Sequence, residues 1–144
     1  MNLCDVNVLV YAFREGTPHH TTSLRWLETT VNSQTAFGMA ELVLSGFLRI
    51  VTHPKIFDVP APLDKAMEFV ETLRACPNCI PITPGERHWT IFSDLCHRSE
   101  AQGNLIPDAY LAALAIESGC QWITFDRGFA RFPGLRWSHP PAVE

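Results

Sequence analysis

Four acidic side chains stand at the predicted ends of secondary structure elements, where carboxylates from distant parts of a chain can meet. They are Asp5, Glu41, Asp108 and Asp126. Two carboxylates about 4 Å apart repel each other by about 4 kcal/mol at an effective dielectric constant of about 20, so a cluster of four needs a cation among its members. Hard oxygen ligands, without cysteine or histidine at matching positions, favour Mg²⁺, with Mn²⁺ as a substitute. These residues therefore predict a carboxylate site for a divalent metal.

The positions of the acids relative to the predicted elements explain how they could converge. Asp5 and Asp126 each follow a short apolar run, which predicts the end of a buried strand. Glu41 and Asp108 lie in the opening turns of predicted helices, where an acid complements the helix dipole. The ends of parallel strands and the starts of the helices that follow them lie at the same edge of an α/β sheet. Taken singly, each acid is explained as a cap or turn residue, and only the set indicates a site.

Apolar runs and helical spacing predict the elements themselves. Strands are predicted over 1–4 (extending as far as residue 10 in one interpretation), 34–37, 79–82 and 121–125. Helices are predicted over 24–31, after Thr21 or Thr22 as a possible cap, and over 39–52, 63–73, 85–98 and 107–118. Strands that alternate with helices predict a parallel sheet covered on both faces and joined by right-handed crossovers. No repeat or linker interrupts this pattern, so one α/β domain over 1–144 is expected.

The composition favours a folded protein and excludes two other classes. Hydrophobic residues make up 47% of the chain and charged residues 18%, whereas an intrinsically disordered chain is poor in apolar side chains. No run approaches the roughly 18 apolar residues that a membrane-spanning helix needs, and Asp5 interrupts the N-terminal apolar run. A cytoplasmic protein without a membrane partner is therefore expected.

The charge balance bears on the substrate. Eleven Lys and Arg against fifteen Asp and Glu give a net charge of −4, so no overall positive field attracts nucleic acid. Once the four candidate ligands are set aside, the remaining charges balance, and bound divalent ions would allow a phosphodiester to approach. Arginine outnumbers lysine nine to two, and planar guanidinium groups suit phosphate contacts. The arginines near segments that carry or precede an acid are Arg14, Arg49, Arg98 and Arg127.

Four segments match, in order, the successive motifs of one family. They are 3–12 (LCDVNVLVYA), 40–42 (AEL), 106–115 (IPDAYLAALA) and 124–129 (TFDRGF). Together they resemble a PIN domain, and the closing segment 129–137 (FARFPGLRW) resembles the VapC toxins of type II toxin–antitoxin systems. The resemblance implies a three-layer α/β/α fold with a central parallel sheet, a homodimer and Mg²⁺-dependent endoribonuclease activity. It further implies cleavage of structured RNA such as tRNA or rRNA, inhibition of translation and growth, and control by a VapB-type antitoxin.

The resemblance also implies roles for individual residues. Asp5, Glu41, Asp108 and Asp126 would be the catalytic and metal-binding acids, and Asn7 and Thr124 would orient the carboxylates. Many relatives place a further acid where Gly128 stands here, which leaves open whether one or two metal ions bind. The candidates for RNA contact are Arg14, His19, His20, Trp89, His97, Arg98 and Arg127.

Two other functions stay open at this point. The segment around Asp5 and Asn7 is similar to the nucleophilic aspartate of haloacid-dehalogenase-type phosphatases and to the phospho-acceptor of response-regulator receivers. Both classes place a lysine near the phosphoryl group, whereas Lys55 and Lys65 fall in a predicted loop and a predicted helix. The other alternative is a catalytically inactive PIN scaffold that only binds partners.

Two further patterns concern structure. The segment 42–51 is apolar almost all the way round, which in so short a chain favours a subunit interface. Cys76 and Cys79 have the spacing of a zinc or redox motif, but they follow a predicted helix and no second pair matches them, so a turn is favoured. Cys4 and Cys120 border apolar runs and are expected to be free thiols in the core.

Overall fold

Five short parallel strands form the centre of the molecule, whose computed structural model describes residues 1–142. The strands are β1 (Asn2–Cys4), β2 (Phe37–Met39), β3 (Cys79–Pro81), β4 (Gln121–Ile123) and β5 (Trp137–Ser138). Their order across the sheet is β3-β2-β1-β4-β5, and every neighbouring pair is parallel. The first strand of the chain is therefore the central one, with the later strands added on either side.

Six α-helices flank this sheet. They are α1 (Val6–Phe13), α2 (His20–Val31), α3 (Glu41–Val51), α4 (Leu63–Arg74), α5 (His88–Arg98) and α6 (Leu105–Ser118). A 3-10 helix (Arg127–Arg131) follows β4. The predicted α/β class with a central parallel sheet is confirmed, and the layers are those of a three-layer α/β/α fold.

The core lies where the central strands meet the helices. Leu3 of β1 and Trp122 of β4 are fully buried, as expected for strands of a parallel sheet that is covered on both faces. Helix α6 contributes several buried alanines, and these small side chains let it pack closely. Cys4 and Cys120 are buried free thiols, as predicted.

The predicted boundaries differ from the structure at several elements. Helix α2 begins at His20, before the predicted cap at Thr21 or Thr22, and α5 begins three residues after its predicted start. The interpretation that extends the first strand to residue 10 is wrong, because α1 begins at Val6. A short apolar run does not distinguish a buried strand from a buried helix, and here Asp5 caps the helix instead. The strand predicted over 34–37 lies at 37–39, and β5 was not predicted because it has only two residues. Helix α6 begins at Leu105, two residues before the predicted start.

The prediction of a turn at Cys76–Cys79 is confirmed. The backbone N–H of Cys79 donates to the carbonyl of Cys76 at 3.0 Å, and all five cysteines are free. The side-chain amide of Asn78 holds this turn to the end of α2 and the loop after it. It lies 2.9–3.0 Å from the carbonyl oxygens of Thr30, Ser33 and Thr35.

The apolar segment 42–51 is explained largely within the chain itself. Val43, Leu44, Phe47 and Val51 are buried in the core. The opposite side of α3 faces a cavity, to which it contributes Leu42 and Ile50. A subunit interface is therefore not needed to account for the apolar character of this helix. Within residues 1–142, no helix combines the length and apolarity needed to cross a membrane.

Candidate active site

Three of the four predicted acids line one cavity at the carboxyl edge of the sheet. Asp5 follows β1, Asp126 lies just beyond the neighbouring β4, and Asp108 lies in the first turn of α6. The cavity has a volume of about 640 Å³, and we call it the acid cavity. Helices α1 and α3 and the loop around Phe57 form its remaining walls.

Asp5 is buried and held by hydrogen bonds to both carboxylate oxygens. Its Oδ1 accepts from the backbone N–H of Val6 at 2.7 Å, which caps α1. Its Oδ2 accepts from Thr124 Oγ1 at 2.7 Å and from Asn7 Nδ2 at 3.3 Å. The two residues predicted to orient carboxylates thus lie against Asp5.

The same polar network extends to the end of β4. Thr124 Oγ1 accepts from the backbone N–H of Asp126 at 3.0 Å, and Asn7 Oδ1 accepts from that of Phe125 at 3.3 Å. Asp126 Oδ1 in turn accepts from the backbone N–H of Gly128 at 2.8 Å. The backbone that carries Asp126 is therefore tied to the backbone that carries Asp5.

Burial and mutual repulsion act on these acids together. Burial, with a smaller contribution from the charges of Asp108 and Asp126, raises the pKa of Asp5 to about 6, against the hydrogen bonds from Thr124 and Val6. Burial also raises the pKa of Asp108, the charge of Asp126 adds to this, and Arg131 opposes it. The cavity thus concentrates negative charge that the protein compensates only in part.

The donor set fits a divalent cation such as Mg²⁺ or Mn²⁺. In the part of the chain that the structure describes, no Lys, Arg or His forms an ion pair with Asp5, Asp108 or Asp126. Carboxylate oxygens are the ligands that Mg²⁺ prefers, and it usually keeps several water molecules. Among residues 1–142, no three carboxylate, imidazole or thiol groups stand close enough together to form a ligand set. Water and substrate would therefore complete the coordination.

Glu41, the fourth predicted acid, does not line the acid cavity. It is exposed at the first position of α3 and lines a separate cavity of about 360 Å³ with Arg74 and Cys79. Successive residues of a helix project about 100° apart, and it is Leu42 and Ser45 that face the acid cavity. The structure thus brings Asp5, Asp108 and Asp126 to one cavity and places Glu41 in another.

None of the arginines predicted for RNA contact lines the acid cavity. Arg14 donates to the carbonyl of Val59 at 2.9 Å and lies 4.1 Å from the ring centroid of Phe57, behind the cavity wall. Arg98 pairs with Asp94 on α5 at 3.5 Å, and Arg127 is exposed next to Asp126.

Arg49 lines the acid cavity, although it was not among the residues predicted to contact RNA. It lines the acid cavity from α3 together with Leu42, Ser45 and Gly46. These residues recur at offsets of three, four and seven, which places them on one face of a helix. The helical spacing could therefore have found Arg49 once the cavity-facing side of α3 was known.

Comparison with known proteins identifies the family. The family model described as PIN domain matches residues 3–135. VapC ribonuclease Mb2897 of Mycobacterium bovis is 45% identical over 139 residues, which cover 96% of this chain and 95% of that protein. The chain belongs to the VapC family of PIN-domain proteins. Ribonuclease VapC25 of Mycobacterium tuberculosis is 41% identical to this VapC-family chain over 141 residues, covering 98% and 99% of the two.

Solved structures share the fold of this VapC-family protein at low sequence identity. VapBC2 from Rickettsia felis, bound to a DNA fragment from its promoter, superposes with a TM-score of 0.70 at 18% identity, covering 96% of this chain and 97% of that one. VapC20 of Mycobacterium tuberculosis, described as a sarcin-ricin loop cleaving toxin, has a TM-score of 0.66 at 15% identity, covering 94% and 99%. These two likenesses support the α/β/α fold.

The phosphatase and receiver alternatives find no supporting lysine in this VapC-family chain. Neither Lys55 nor Lys65 lines the acid cavity. Lys65 lies on α4, where its ammonium group is 4.0 Å from the carboxylate of Glu68. A phosphoryl group on Asp5 would therefore lack the lysine that both of those classes provide.

Proposed function

We propose that this VapC-family protein is a Mg²⁺-dependent endoribonuclease and the toxin of a VapBC toxin–antitoxin system. The observation that carries this proposal is the acid cavity, where three aspartates from distant parts of the chain meet without an ion-pair partner among the described residues. The ribonuclease names of its relatives support the same activity. The substrate would be structured RNA such as tRNA or rRNA, cleaved in the cytoplasm with loss of translation and growth.

Asp5, Asp108 and Asp126 would bind the metal partly through water molecules, since no three such groups among residues 1–142 lie close enough together for direct coordination by all of them. Mn²⁺ would be a substitute for Mg²⁺. When bound, such an ion lowers the pKa of a coordinated water and offsets charge on phosphoryl oxygens. Glu41 lines a different cavity and would not be a direct ligand of this metal. A single domain over 1–144 would carry the whole activity.

Other side chains of the cavity would position the carboxylates and the RNA. Thr124 and Asn7 donate to Asp5 and so fix the direction of its free lone pairs. Arg49 lines the same cavity and is placed to contact a phosphate. The apolar lining from Leu42, Ile56 and Phe57 would limit the access of bulk water to the carboxylates.

Asp108→Asn is the sharpest test, because no hydrogen bond among residues 1–142 depends on the carboxylate of Asp108. We expect it to reduce Mg²⁺-dependent cleavage of tRNA and rRNA by about 100-fold or more, with the folded state intact by circular dichroism. Asp64→Asn is the matched control, since Asp64 is also a first-turn acid of a helix and is exposed on α4. Equal cleavage by both variants would refute the proposal, and an inactive wild-type protein that still binds its partner would support the inactive scaffold.

We further propose a VapB-type antitoxin as protein partner and a homodimer as the assembly. Structural neighbours that were solved as toxin–antitoxin complexes support the first part, including FitAB bound to DNA and a complex from Klebsiella pneumoniae. Light scattering of the purified chain would give a mass of two subunits. Co-expression with a candidate antitoxin would relieve the growth inhibition that the chain alone produces.

A further inference from the structure

A cluster of stacked rings beside the acid cavity has no role in the function proposed above. The imidazole ring of His19 lies parallel to the ring of Phe125, with 4.2 Å between the centroids and 14° between the planes. The ring of His139 is also nearly parallel to Phe125, at 5.9 Å and 20°. Tyr11 meets His19 and Phe125 at 5.3 and 5.5 Å. We call these four residues the ring cluster.

The ring cluster adjoins the carboxylates directly. Tyr11 is itself part of the cavity lining. Phe125 precedes Asp126, and its backbone N–H donates to Asn7, which in turn donates to Asp5. A ligand whose phosphate reaches the acid cavity therefore has its neighbouring groups next to these rings.

The loop that carries His19 is held in place by hydrogen bonds within the protein. Thr17 Oγ1 donates to the carbonyl of Arg14 at 2.7 Å, and its contact with the carbonyl of Tyr11 is 3.4 Å. Nδ1 of His20 lies 2.8 Å from the same Tyr11 carbonyl. Gly16, whose φ is +84°, permits the turn between Arg14 and Thr17. The loop is thus ordered before any ligand binds, which lowers the entropy cost of binding.

His19 has the features of a stacking platform rather than of a core residue. One face of its ring rests on Phe125, while the side chain as a whole is exposed to solvent. Proteins often bind single-stranded nucleotides by stacking a base on an aromatic ring, since every base has a π face. A ring with one face packed against the protein and the other accessible to solvent is suited to this. Inside a double helix, stacked neighbours cover both faces of each base, so the contact requires an unpaired base that has left the stack.

We propose that the open face of His19, supported by Phe125, stacks on an unpaired base of the RNA next to the phosphate held at the acid cavity. This inference rests on the proposed ribonuclease function and assigns the contact with the base to His19. His19 is then a binding residue that places the RNA. It takes no part in breaking the phosphodiester.

The test compares His19→Ala with His19→Phe, which keeps an aromatic face, and with Thr21→Ala, an exposed neighbour on α2. Wild-type protein first digests tRNA and rRNA with Mg²⁺, and sequencing of the new ends locates the cleaved site. A short RNA hairpin that carries this site in its loop is then the substrate. We expect His19→Ala to raise KM about tenfold with kcat unchanged, and His19→Phe and Thr21→Ala to stay within about twofold of wild type.

A second comparison uses the same hairpin with an abasic nucleotide on either side of the cleaved phosphate. One of these substrates should raise the KM of wild-type protein about tenfold, and His19→Ala should then add nothing, because the contact is already lost. The stacking contact would be refuted if the abasic substrate and His19→Ala each raised KM and their effects multiplied. It would also be refuted if His19→Phe raised KM as much as His19→Ala. Neither result would contradict the proposed ribonuclease function. If wild-type protein cleaves no RNA with Mg²⁺, the proposed function fails first.

Discussion

Asp5 combines more interactions than any other acid of the cavity. Its side chain is only 7% exposed, one oxygen caps α1, and the other accepts from Thr124 and Asn7. These hydrogen bonds favour the charged carboxylate, but burial opposes it more strongly and raises the pKa to about 6. Above that pH, the metal-free protein must keep an uncompensated charge in a buried position.

This burial predicts how the stability of the metal-free protein depends on pH. The pKa of Asp5 rises from its ordinary value of 3.8 to about 6 on folding, so the folded state holds the proton more tightly than the unfolded state. The stabilisation is complete below about pH 4 and is lost as the pH rises through about 6. With a chelator present, we expect the free energy of unfolding to fall by about 2 kcal/mol between about pH 4 and pH 7. Urea unfolding at several pH values measures it.

Asp5→Asn is the comparison for this prediction, because it removes the titrating group and keeps a side chain of the same shape. The pH dependence between about 4 and 7 should become shallower in this variant. A variant with an unchanged slope would show that Asp5 is not the group responsible.

The sequence predicted which acids lie at the ends of strands and helices, but it did not predict the directions in which all their side chains point. Asp5 and Asp126 follow apolar runs, and the structure places both beyond strand ends. The direction of Glu41 could not be predicted, because one residue along a helix changes the direction of a side chain by about 100°. Arg49 was missed as a cavity residue for the same reason.

At the scale of elements, the acid cavity depends on how closely α1 and α3 approach each other. Gly46 of α3 faces Val6, the first residue of α1 and the neighbour of Asp5. A β-carbon at position 46 would lie 2.9 Å from Val6 Cγ2. Because valine is β-branched and stiff at χ1, the contact is relieved only if a helix moves.

Gly46→Ala is therefore expected to destabilise the protein although alanine favours helices. We expect a loss of about 1–3 kcal/mol from overpacking, against a gain of about 1 kcal/mol in helix propensity. Ser45→Ala is the control on the same helix, since Ser45 is exposed and should tolerate the change. Thermal unfolding of both variants measures the difference, and a Gly46→Ala protein more stable than Ser45→Ala would show that Val6 yields without cost.

The elements that the sequence predicted well are those with long periodic patterns. Helix α4 was predicted over 63–73 and extends from Leu63 to Arg74. The first ten residues were harder, since a strand of three residues and a buried helix follow each other with only Asp5 between them. The two-residue β5 has no pattern of its own and depends entirely on its pairing with β4.

At the scale of the whole molecule, ligand binding at the acid cavity should stabilise the fold. An ion that binds only the folded state at about 100 times its Kd adds about 2.7 kcal/mol, which corresponds to a rise in Tm of roughly 10 °C. We expect this rise with Mg²⁺, larger at about pH 8 than at about pH 5, because protonated Asp5 competes with the metal. Asp108→Asn should lose most of this rise in Tm, and Asp64→Asn should keep it. An equal rise in Tm in both variants would show that the ion binds at another site.

The sheet order has a consequence for the synthesis of the protein. A ribosome makes β1 and Asp5 before the other strands of the sheet, while Thr124 and Asp126 follow β4, which is made after β1, β2 and β3. A nascent chain that stops before β4 leaves the central strand without one of its two neighbours and lacks the hydroxyl that holds Asp5. Fragments released before β4 is made therefore lack an assembled acid cavity, and a cell is exposed to this cavity only after β4 and Asp126 have been translated.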